Sequence, residues 1–127
     1  MTLSRFSANV LLIVVGLAAC RNFPPPSDAK MQNDLVGRKF AVGVAYPMME
    51  PIYWTVQPNE VKDWRLIRRK TDSNAGTDLV YADIRLESST QVLQGTLKLQ
   101  YRRYDQGWQL ESAGLESQPA ITSRGGA

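Results

Sequence analysis

The sequence predicts an α+β domain, in which a short N-terminal helix packs on an antiparallel β-meander of about four strands. Three observations predict it. Residues 78–87 and 92–103 each alternate apolar and polar side chains, the period of a half-buried strand. A turn centred on Ser89-Thr90 pairs Leu86 with Leu93, Ile84 with Gly95, Ala82 with Leu97 and Val80 with Leu99, so the two oily faces coincide. Ahead of them, residues 29–36 follow two cap-forming residues and place Met31 and Leu35 one turn apart.

The first element in chain order is not part of that domain. Arg5 supplies a positive start, and residues 10–19 (VLLIVVGLAA) form an unbroken apolar run. Ten residues fall well short of the roughly 20 that cross a bilayer, so the run suits the core of an export signal. It ends in Leu17-Ala18-Ala19-Cys20, which resembles the lipobox of bacterial lipoproteins. The resemblance implies removal of residues 1–19 as a signal peptide. It also implies a diacylglyceryl group on the Cys20 thiol and an acyl group on its new amino terminus. A thiol is the side-chain nucleophile best suited to accept the lipid. Arg21 stands where an Asp in such proteins signals inner-membrane retention. The resemblance therefore implies an outer-membrane protein facing the periplasm, bound to the membrane through its N-terminal lipid. Several acyl chains hold far more firmly than one.

Residues 20–27 then read as the lipidated cysteine and a proline-rich tether, because Pro24-Pro25-Pro26 favours an extended polyproline spacer. The domain proper is expected over 28–117. Ser27 or Asp28 caps the helix, and Gly37 stops it. Between 37 and 59, prolines 47, 51 and 58 break the chain into short pieces, with 39–46 and 53–56 as candidate strands. Residues 61–69 predict the first strand of the meander, and Asp72-Ser73-Asn74-Ala75-Gly76 is turn chemistry. A loop at Tyr104-Asp105-Gln106-Gly107 sets Arg103 opposite Trp108 and Tyr101 opposite Leu110, and 108–115 is the last strand. The tail 118–127, with one proline, two terminal glycines and no periodicity, is expected to be disordered.

Helix first and curved meander after resembles the cystatin-like and NTF2-like folds. The run Asp34-Leu35-Val36-Gly37, then Trp54, Asn59-Glu60-Val61 and Gly107-Trp108-Gln109-Leu110, resembles small secreted proteins of that group. These motifs are structural and carry no catalytic residue with them.

Composition narrows the chemistry. The 127 residues include no histidine and one cysteine, which excludes His-based acid–base catalysis, His-containing zinc sites and an internal disulfide. No cofactor and no metal is expected, and the net charge of +3 is too weak to point to nucleic acid. Trp54, Trp64 and Trp108 are expected in the core and its rim rather than on a ligand-stacking surface. NTF2-like steroid isomerases use a buried carboxylate as base, but Asp83 falls on the polar face beside Tyr81 and Arg85 and is read as a cross-strand partner, not a base.

The one regional bias is basic. Lys62, Arg65, Arg68, Arg69 and Lys70 crowd one strand, and Arg85, Lys98 and Arg102 lie on the polar side of its neighbours. Arginine, ten of the fifteen basic residues, favours bidentate contact with phosphate and carboxylate. The expectation is a non-enzymatic envelope protein that binds a protein or an anionic component through Arg65, Arg69, Arg85, Lys98 and Arg102. Solvated, edge-protecting charge explains the same residues without a partner. A carrier of a small apolar ligand between helix and sheet, an enzyme inhibitor and an NTF2-like enzyme are the alternatives.

Overall fold

A computed structural model describes residues 23–124. It is mostly antiparallel β-sheet with one short helix, α+β in class. Helix α1 (Asp28–Leu35) starts where Ser27 accepts a hydrogen bond from the Lys30 amide at 3.2 Å, and it turns its buried Met31 and Leu35 inward. Gly37, at φ 87°, takes the chain out of the helix in a conformation that disfavours a Cβ. The segment from 37 to 59 is a hairpin of β1 (Lys39–Ala45) and β2 (Glu50–Thr55), with buried Phe40 opposite buried Trp54.

The meander follows as β3 (Val61–Asp72), β4 (Thr77–Glu87), β5 (Gln91–Tyr104) and β6 (Gly107–Leu115), adjacent in that order. The β4–β5 register pairs Leu86 with Leu93, Ile84 with Gly95, Ala82 with Leu97 and Val80 with Leu99, as the alternation predicts. Arg103 lies opposite Trp108, and Tyr101 opposite Leu110. Val80, Leu86, Leu93, Leu97, Leu99 and Tyr101 have no solvent exposure and pack with Met31, Leu35, Phe40, Trp54 and Val56 in one core. Each such side chain contributes about 1.5–3 kcal/mol of burial free energy, so helix and hairpin are held chiefly by this face.

Two expectations are corrected. The tail is not disordered along the described part of its length: β7 (Ala120–Ser123) pairs with Gln91–Gln94 of β5, so the domain runs past 117 and a fifth strand joins the sheet of the four-stranded meander. β5 is long enough to hold β6 on one half of an edge and β7 on the other. Gly95 makes the passage between them possible. A Cβ there would stand 3.3 Å from both Leu115 and Pro119, tighter than ordinary packing allows. Residues 125–127 lie outside the described residues.

The proline segment is also not a free spacer over its described part. The Phe23 carbonyl accepts the Trp108 indole N–H at 3.2 Å. The Pro26 carbonyl accepts an Arg69 N–H at 2.7 Å, and Pro26 is buried. Three prolines stiffen the backbone in the extended form that leaves its carbonyls free to accept, and the sheet supplies the donors.

Candidate functional site

The outward face of the meander gathers most of the predicted basic residues. Pairing sets them in rows across three strands. One row is Arg65, Asp83 and Thr96; the next is Asp63, Arg85 and Gln94. Arg65 donates to Asp83, which also accepts from the Thr96 hydroxyl at 2.8 Å. Arg85 Nε lies 2.8 Å from Asp63 Oδ2, and its Nη2 lies 3.3 Å from Glu87 Oε2. Together these rows line an open groove of about 700 Å³. Arg65, chiefly by its hydrogen bond and with help from Thr96, holds the Asp83 carboxyl below the ordinary carboxylate value. A carboxylate so held is an acceptor of hydrogen bonds, and its environment is the opposite of one that prepares a general base.

Arg102 is engaged as well, with Nε 2.8 Å from Glu111 Oε1. Lys98 is different. It sits in the row Arg68, Tyr81, Lys98, which contains no acid, and Lys70 lies in the row after it. Arg68 stacks its guanidinium 4.1 Å from the Tyr81 ring centre. Among the described residues, Arg68, Lys70 and Lys98 form no ion pair. Lys70 and Lys98 line a second recess of about 440 Å³ together with Asp72 and Gln100.

Arg69 does not belong to this face, which corrects its assignment. Strict alternation puts Arg65 and Arg69 on the same side, but β3 bulges between Leu66 and Arg68 and spends Ile67 without a partner. From there the faces exchange. Arg68 and Lys70 point outward, and Arg69 lies opposite Val80 on the inner face. There it grips the fully buried Asp78, which the Thr71 hydroxyl also meets at 2.9 Å. A bulge leaves no mark in the hydrophobic period of so polar a strand, so the exchange was not readable. Arg68 and Lys70, counted in the basic crowd but left off the candidate face, belong to it, and the burial of Asp78 against Arg69 is what tells them apart.

The tryptophans are structural. Trp54 and Trp108 are buried, and Trp64 is half-buried. Each indole N–H has an acceptor: Glu60 for Trp54, Asp28 for Trp64 and the Phe23 carbonyl for Trp108. The β1–β2 turn, by contrast, shows apolar side chains to solvent, with Tyr46 80% and Met48 76% exposed. Cys20, expected from the sequence to carry the lipid, lies outside the described residues, as do the expected signal segment 1–19 and residues 21–22. No helix among the described residues is long and apolar enough to cross a membrane. No family model, curated protein or solved structure matches this chain.

Proposed function

We propose that this chain is a lipid-anchored envelope protein of the outer membrane, facing the periplasm, with a binding rather than a catalytic role. The lipobox at 17–20 supports the anchor, and the helix-first order with a bulged antiparallel meander supports a cystatin-like or NTF2-like architecture. The working surface is the outward sheet face, and its partner is a protein or envelope component that presents phosphate or carboxylate.

One observation carries the choice of surface: Arg68, Lys70 and Lys98 lie in neighbouring rows with no carboxylate paired to them among the described residues. An incoming anion meets cations whose charge is not already neutralised. Arg65, Arg85 and Arg102 keep a second role. Their pairs with Asp83, Asp63 and Glu111 fix a pattern of alternating charge beside the free cations, which favours one partner orientation over others. The apolar-ligand carrier is disfavoured because Met31, Leu35, Leu97, Leu99 and Tyr101 fill the helix–sheet interface.

The test places a photo-crosslinking residue at Gln100, on the outward face beside Lys98, in the intact chain in cells. The expected result is a discrete adduct that is lost when Arg68, Lys70 and Lys98 are changed together to Ala. An adduct that survives the triple change refutes the surface.

A further inference from the structure

The lipid anchor and the docked proline segment, taken together, fix how the domain meets the membrane. We infer that the end of the sheet carrying the 73–76 and 105–106 turns rests at the phospholipid surface, and that the 88–90 turn points away from it. The inference rests on the acylation of Cys20 proposed above and goes beyond it.

Phe23 is already bound to the domain, through its carbonyl to Trp108 and through its ring, which lies over Gly107. A Cβ on Gly107 would fall 3.7 Å from that ring, and the residue has φ 118°, so glycine suits the approach. Arg69 holds Pro26 from the other side. Only residues 21 and 22 separate Cys20 from Phe23 in the sequence. Three residue steps span at most about 11 Å. A domain of some hundred residues has a radius of gyration of about 13 Å, so the link is shorter than the body it holds. The attachment point therefore decides which surface faces the bilayer. On a free spacer of seven residues the domain would turn every face to it.

Phe23 sits at one end of the long strands. Gly107, beneath it, opens β6 directly after the 105–106 turn. The 73–76 turn is at the same end, since the Arg103 side chain donates to the Ser73 carbonyl and its amide to that of Gly76. β5 then runs the length of the sheet to the 88–90 turn, and its 14 residues extend about 40 Å. The near end suits a headgroup layer. Phe23 and Tyr104 are 37% and 43% exposed there, and aromatic side chains settle at the boundary between water and hydrocarbon.

Cys20 is the only cysteine, so once it is acylated a second site can be labelled alone. The experiment uses the purified lipoprotein in phosphatidylethanolamine–phosphatidylglycerol vesicles containing a headgroup-linked quencher. A fluorophore is carried by Q106C at the near end or by S89C at the far end, and the acyl mass is read on the same sample. Severalfold stronger quenching at Q106C than at S89C is expected. A Gly-Ser insert between Cys20 and Phe23 is expected to equalise the two. Acylated protein with equal quenching at both sites, without the insert, overturns the orientation alone. Protein that carries no acyl mass overturns the anchor and the orientation together.

Discussion

The Arg69 guanidinium and the Asp78 carboxylate meet on the buried side of the sheet, with Nη2 2.5 Å and Nε 3.0 Å from Oδ2. Asp78 has no solvent exposure, so Arg69 and Thr71 supply the hydrogen bonds that water cannot. Arg69→Ala strands that charge and also releases the Pro26 carbonyl. We expect a loss of about 3–5 kcal/mol in urea unfolding, the range for breaking a buried pair from one side. A loss under about 1 kcal/mol, the range of exposed pairs, contradicts the placement of Arg69.

Truncation after Ser117 removes β7, which pairs with Gln91–Gln94 and sets Pro119 against Gly95 and Ile121 against the core. Half-burial of one isoleucine and the lost strand pairing together set the expected loss at about 2 kcal/mol. Thermal unfolding of the truncated and full chains measures it. Identical midpoints would mean that the tail is unstructured after all.

Arg65 lies on the solvent side, and its removal is expected to leave the fold intact while changing the titration of Asp83. With Arg65→Ala the carboxyl loses the main cause of its depression and moves up toward the ordinary value of 3.8. In the native chain, the depressed carboxyl stabilises the fold above that pH, and the contribution is lost as pH falls through the folded value. Carboxyl chemical shifts followed by NMR report both. An unmoved Asp83 titration argues against the pair.

Tyr101 passes through the core to reach Asp34, with its hydroxyl 2.8 Å from Oδ2. Burial, and then this hydrogen bond, push its titration above the ordinary tyrosine value of 10.0. The unfolded chain gives up the proton first, so the contribution is intact below that value and lost as pH rises beyond it. Tyr101→Phe is expected to cost about 1 kcal/mol at neutral pH, and to show a smaller fall in stability than the native chain between about pH 9 and about pH 11. Equal falls in the two chains refute the assignment.

What could be read in advance follows from how each segment is buried. β4 and β5 are covered on one face and wet on the other, so their register, down to Tyr81 opposite Lys98, is written in alternation. The Ser27 cap is equally local. Three features were hidden because long-range partners decide them. β7 is four residues with no period of its own, ordered by the free edge of β5. Phe23 and Pro26 are fixed by Trp108 and Arg69, 85 and 43 residues along the chain. Ile67, the bulged residue, turns a row of five basic side chains into two faces, so counting charges along β3 could not separate Arg69 from Arg68.

Acylation of the Cys20 thiol is the central proposal, and metabolic labelling of the full chain with radioactive palmitate tests it directly. The expected result is label in a product whose mature sequence begins at Cys20, lost in Cys20→Ser. A native chain that takes up no label, or a Cys20→Ser chain labelled as strongly as the native one, contradicts it.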